Sequence, residues 1–202
     1  MVEQPSLPGF ETGSKVKDVL FFAVVPDAEA AFRIAQLTQR LRGEPRLKAK
    51  PLATNHLHIS LHGIGGYARI PEGIATAAGK AATTIAVSPF EVRFDRVMSF
   101  RRKSGKRPLV LCSGVELTAL TKFQQTLAMT MAKAGLGPTT RFNPHITLLY
   151  GEQGAYEEPI EPIGWTVREF ALVDSLQDQT RHITLGRWPL RSWHSQRRPD
   201  QK

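Results

Sequence analysis

Apolar side chains recur along this chain with two periods, and the switches between them mark out the elements. Val19 to Val25 is an unbroken apolar run, rich in Phe and Val and stopped by Pro26, which predicts a strand buried on both faces. From Ala28 to Arg42 the rhythm changes. Ala31, Phe32, Ile34, Ala35, Leu37 and Leu41 return at helical intervals among Arg33, Gln36, Gln39 and Arg40, and Gly43 closes the helix. Pro45 to Asn55 reads as a loop, and His56 to Ile64 as a strand that breaks at Gly65-Gly66. Pro71 to Val87, alanine-rich after Pro71-Glu72, predicts a second helix.

The remaining segments repeat these signals. Phe90 to Phe100 and Pro108 to Val115 read as two strands of a hairpin with a basic connection, Arg101 to Arg107. Leu117 to Ala134 sets Leu120, Phe123, Leu127 and Met131 three or four apart, a third helix ended by Gly135 and Gly137-Pro138. A strand around His145 ends at Tyr150-Gly151. Glu152 to Pro162 is acidic and turn-rich, Trp165 to Leu176 and His182 to Trp188 read as two last strands, and 191–202 as a polar tail. Similar modules thus occupy each half. The pattern predicts an α+β fold: bilobal, with two pseudo-twofold related modules of antiparallel sheet, helices packed outside and a central cleft. Residues 19–190 form its single domain, behind a flexible segment 1–18.

Composition narrows the class. At 202 residues with 41% hydrophobic side chains the chain can bury one sizeable core, and two independent domains are not expected. A net charge of +9 favours polyanionic partners such as RNA. One cysteine, Cys112, cannot form an internal disulfide, and the apolar run Leu109-Val110-Leu111 before it marks it as a small core side chain. The first 17 residues hold no apolar stretch, and the longest apolar run is too short for a bilayer, so a cytoplasmic protein is expected.

Candidate chemistry lies in two near-identical tetrapeptides, His58-Ile59-Ser60-Leu61 and His145-Ile146-Thr147-Leu148. In an extended strand, side chains two apart share a face, so each segment offers one imidazole and one hydroxyl together, spaced about 6.6 to 6.8 Å along the strand. Such a pair suits a small anionic group of phosphate size. Two imidazoles brought to one site can act as proton acceptor and proton donor near neutral pH without a metal. A third copy, His182-Ile183-Thr184-Leu185, is read as a decoy on the last strand and not as a further catalytic histidine.

These two motifs, with Asn55 and Asn143 before them, Pro144 before the second histidine, and Phe21-Phe22-Ala23 near the start, resemble the two-histidine phosphoesterase superfamily, in particular the RNA 2′,3′-cyclic phosphodiesterases also called 2′-5′ RNA ligases. The resemblance extends from Val19 to Gly186-Arg187-Trp188-Pro189-Leu190. It implies an enzyme that opens 2′,3′-cyclic phosphate ends of RNA or nucleotides to 2′-phosphates, with reverse 2′-5′ ligation, no cofactor and no obligate protein partner. It also implies His58 as proton donor, His145 as the acceptor that activates water, and Ser60 and Thr147 as hydrogen-bond donors to the phosphate; the spacing alone leaves the two histidine roles interchangeable. Members often carry a basic residue shortly after the second motif. Here Leu149-Tyr150 stand there, leaving Arg101, Arg102 or another loop to supply the cation, with Tyr150 or Phe142 to stack on a base. Two other readings are an RNA-binding module whose histidines do not catalyse, and a zinc hydrolase using His56, His58 and His62, which share a face by strand parity.

Overall fold

A computed structural model of the chain describes residues 16–44, 47, 49–100, 106–137, 141–151, 154–177, 179 and 181–192. The first 15 residues, most of the basic connection including Arg101, and the end of the tail lie outside the described residues. Among the described residues, eight strands and three α-helices follow in the order β1 (Asp18–Val24), α1 (Ala28–Arg42), β2 (Ile59–Tyr67), α2 (Glu72–Ala82), β3 (Phe90–Ser99), β4 (Arg107–Cys112), α3 (Thr118–Lys133), β5 (Ile146–Gly151), β6 (Glu157–Val167), β7 (Glu169–Leu176) and β8 (Arg181–Pro189). A short 3₁₀ turn, Thr54–His56, precedes β2.

The strands form one sheet in the order β6-β3-β4-β5-β2-β1-β7-β8, with every neighbouring pair antiparallel. It divides into two four-stranded halves that meet where β2 faces β5. Around that seam the unit strand, helix, histidine strand occurs twice, as β1-α1-β2 and as β4-α3-β5, which is the α+β duplication that the hydrophobic rhythm predicts.

One feature of the chain path curls this sheet. In a flat sheet β6 and β7 would stand six strand spacings apart, about 28 Å. Only Arg168 separates them in sequence, and a single residue reaches no more than about 7 Å. The halves therefore fold toward one another around a common interior. Phe170 touches Phe22 and Trp188 of its own half and Phe123 of α3 in the other, with ring centroids 5.2 to 5.8 Å apart, while Phe94 stacks on Trp165. Leu190 then donates its backbone N–H to the Arg168 carbonyl at 2.7 Å, tying the end of β8 to the link.

The strand expected to break at Gly65-Gly66 runs on as β2 to Tyr67, because both glycines pair with β1, and β4 stops at Cys112, short of the expected Val115. Other departures from the expected elements have local causes. Glu157–Val167 is a strand despite Pro159 and Pro162. It lies at a margin of the sheet, where a missing N–H costs no ladder bond. The run expected as one strand from Trp165 to Leu176 is broken at Arg168, where the chain passes between halves. The second helix ends at Ala82 rather than Val87, because the Thr83 and Thr84 hydroxyls donate to the Lys80 and Ala81 carbonyls and draw the backbone out of the helix. The first helix matches its expected bounds. Asp27 caps it by accepting from the Ala30 N–H at 2.8 Å, and Arg40 and Arg42 occupy its last turn. Cys112 is buried, as its neighbours imply, and burial pushes its thiol up to about 11, well away from a reactive thiolate.

Candidate functional site

At the seam between halves β2 meets β5 through the pair Ile59 opposite Ile146, and Pro51, ahead of β2, bridges to Leu149. Each isoleucine directly follows a motif histidine, so the topology delivers His58 and His145 to one place from separate halves. Both isoleucines are fully buried on the helix-covered face. Alternation sends the histidines and their hydroxyl partners to the open face, where Phe21, Ala23, Ala171 and Val173 form a small second cluster.

Both imidazoles are held alike. The Nδ1–H of His58 donates to the His56 carbonyl at 2.7 Å, and that of His145 to the Asn143 carbonyl, also at 2.7 Å. A carbonyl can only accept, so each Nδ1 carries the proton and each neutral ring presents an Nε2 lone pair. A phenylalanine braces each ring, Phe21 at 5.0 Å from His58 and Phe100 at 4.9 Å from His145. Ser60 Oγ lies 3.1 Å from His58 Nε2, so this hydroxyl donates to the free nitrogen. The imidazole has leaned along the strand onto its partner, and the two reach one point instead of standing a full strand period apart. Thr147 is half-buried opposite Val110, and Tyr150 is exposed at 44% opposite Pro108. Phe142 packs against the core. Burial lowers the His58 pKa, opposed by the hydrogen bond to the His56 carbonyl and reinforced by the electrostatic effect of the neighbouring His145 and His56 rings.

The zinc trio does not assemble. A β-bulge between Ser60 and His62, seen as a register shift against Phe22 and Ala23, inserts Leu61 as an extra residue. His62 is thereby turned to the helix-covered side opposite Phe22, where it is buried and its Nε2–H donates to the Leu136 carbonyl at 3.0 Å. The bulge also frees the Leu61 carbonyl, which accepts from the buried Gln124 amide at 3.2 Å. Parity counting placed His62 beside His58 because it cannot see a bulge. Among the described residues no group of three His, Cys, Asp or Glu side chains could hold a metal.

The approach to the second motif docks on the same strand. Gly137 has φ +70°, and a Cβ there would sit 2.3 Å from the Gly63 carbonyl oxygen and 3.1 Å from His62 Nε2. Gly137→Ala is expected to cost about 1–3 kcal/mol through strained backbone and a displaced loop, read as a lower urea midpoint. An unchanged midpoint would count against that docking.

Rings that the motif reading left out also stand at the site. His182, from the third motif copy, packs beside the pair: it stacks on His56 at 4.5 Å and meets His58 edge-on at 5.2 Å and Phe21 at 5.8 Å. The recurrence of His-Ile-Thr-Leu was the available signal. Its proximity depends on β8 lying beside β7 and on the turn before β2 reaching across the open face, neither of which the sequence displays.

The family model described as the 2′-5′ RNA ligase superfamily matches residues 25–179. This chain belongs to that superfamily. Its members are two-histidine phosphoesterases, and solved structures agree. The chain is similar to Escherichia coli LigT in its apo form, at 25% identity and TM-score 0.73, covering 88% of this chain and 100% of that one. It is also similar to a crystal structure described as a phosphoesterase, at 26% identity, TM-score 0.73 and the same coverage. TT0787 of Thermus thermophilus, at 22% identity, TM-score 0.70 and coverage of 87% and 100%, shares the fold. No curated protein matched in a sequence search. No helix of the described residues is long and apolar enough to cross a membrane.

Proposed function

We propose that this two-histidine phosphoesterase opens 2′,3′-cyclic phosphate ends of RNA or nucleotides to 2′-phosphates, with His58 and His145 as its acid-base pair and no metal in the reaction. The observation that carries this reading is the matched pair of imidazoles. Each is pinned through Nδ1 and leaves Nε2 for chemistry, and the two come from opposite halves at one seam. Opening the ring requires water to lose a proton as it attacks phosphorus and the departing ribose oxygen to gain one. One neutral and one protonated imidazole supply both transfers. With substrate bound, the Ser60 hydroxyl turns its proton from His58 Nε2 to a non-bridging phosphate oxygen and Thr147 donates to another, where charge is held in the transition state. Tyr150, exposed near Thr147 on β5, offers a ring to a base, and Arg101, outside the described residues, remains the candidate cation. Crystal structures of Escherichia coli LigT with 3′-AMP, with ATP and with phosphate support a nucleotide phosphate as the ligand class. Run in reverse, the same site joins a 2′,3′-cyclic end to a 5′-hydroxyl.

Product analysis on a 2′,3′-cyclic nucleotide in excess EDTA tests this directly, with accumulation of the 2′-phosphate expected. Ser60→Ala and Thr147→Ala should each lose roughly 10- to 100-fold in rate, the worth of a hydrogen bond to a charged group. Activity that returns only with added zinc would overturn the metal-free reaction, and tight binding of RNA without turnover would make the protein a binding module.

A further inference from the structure

The third copy of the tetrapeptide repeats the geometry of the other two. His182 lies opposite Ser175 and Thr184 opposite Val173, so alternation turns this imidazole and hydroxyl to the open face, beside the small apolar cluster that Val173 belongs to. Proton transfer near neutral pH does not suit this ring. Burial, reinforced by the electrostatic effect of His58 and His56, lowers its pKa to about 4 and keeps it uncharged. An uncharged imidazole offers a flat π face instead. The His182 ring is already engaged in stacking, with its centroid 4.5 Å from that of His56 and 27° between the planes. The two rings come from β8 and from the turn Thr54–His56, and each is partly exposed. His58 and Phe21 stand at 70° and 76° to the His182 plane, at 5.2 and 5.8 Å, and brace it.

Resting on the proposed phosphodiesterase reading, we propose that the stacked rings of His182 and His56 are the platform on which the base of the cyclic-phosphate nucleotide lies. This makes His182 a specificity-determining residue, favouring nucleoside cyclic phosphates over base-free ones. Every base has a π face, so such a platform selects for a nucleobase without reading which one it is. Two rings that are already near parallel need little further ordering when a third joins the stack. The position fits the chemistry. His182 meets the ring of His58, whose Nε2 addresses the phosphate, so the phosphate and base of one nucleotide fall to neighbouring side chains. The two recognitions are separate: Ser60 and Thr147 hold phosphate oxygens, while the histidine stack holds the base. Tyr150, carried by β5 in the other half, is left for the base of the preceding nucleotide.

The test uses the full-length protein and two substrates with the same cyclic phosphate ring, 2′,3′-cyclic AMP and the base-free glycerol 1,2-cyclic phosphate. The readout is the ratio of their kcat/KM values. Any influence of His182 on the orientation of His58 acts on both substrates and cancels in that ratio. His182→Ala is expected to lower the preference for the nucleotide roughly 5- to 100-fold, the worth of one base stacked on one ring. His182→Phe, which keeps a flat ring, should keep most of that preference. An unchanged ratio in His182→Ala would overturn the platform, as would a folded His182→Phe that loses the preference like the alanine variant. If the wild type turns over neither substrate, the proposed function fails on its own. The platform is then decided by calorimetric binding: 2′-AMP should bind more tightly than inorganic phosphate, and His182→Ala should shrink that margin by the same factor. An equal margin in both proteins would overturn it.

Discussion

Replacing His145 with alanine is expected to lower kcat/KM on a 2′,3′-cyclic nucleotide by roughly 10²- to 10⁴-fold, the range that one positioned proton-transfer group supplies. His58→Ala should fall in the same range. The double variant should fall well short of the product of the two losses, because an acceptor without its donor completes no transfer. The folded state should survive. His145 is half-buried, and its described contacts are one carbonyl and the edge of Phe100. Unchanged circular dichroism and thermal midpoint alongside the lost rate would separate chemistry from unfolding. A loss below tenfold in either single variant would remove that histidine from the reaction.

The largest effect on stability is expected at Phe170. Only 1% of its surface is exposed, and its ring contacts Phe22, Phe123 and Trp188, so it joins the two halves through their common interior. Phe170→Ala should cost about 3–5 kcal/mol by lost transfer energy and the cavity left behind. Against a typical total of about 5–15 kcal/mol, that is a large share, and it corresponds to a fall in Tm of roughly 6–20 °C for a chain of this size. Phe32 is the internal control: at 62% exposed on α1, its alanine variant should change stability by no more than about 0.5 kcal/mol. Equal effects at the two positions, measured by urea denaturation, would contradict the assignment of the core.

Local pattern carried most of the fold. The bounds of α1 follow from its apolar spacing, Asp27 and Gly43, and the presence of the two histidine strands from alternation, since each of these signals lies within its own element; the run of β2 through Gly65-Gly66 depends on pairing with β1 and was not legible. What depended on distant partners was not legible. The prolines of β6 argue against a strand until its place at the sheet margin is known. The bulge that turns His62 inward is a register shift against β1, invisible in the tetrapeptide itself. At the site, the pairing of His58 with His145 could be anticipated from duplicated motifs, but the packing of His182 on His56 could not. It joins residues 126 positions apart, and no periodicity reports such a meeting.

The pairing of β1 with β7 carries a consequence for biosynthesis. Val19 lies opposite Ser175, so β1 waits for a strand made 156 residues later before its second edge is covered. Assembly dominated by such distant closures is slow, and until it finishes the Phe21-Phe22-Ala23 segment offers open hydrogen-bonding groups to any neighbouring nascent polypeptide. Truncation anywhere before Glu169 would make that temporary exposure permanent, so shortened versions of this protein should precipitate rather than persist as a smaller working enzyme.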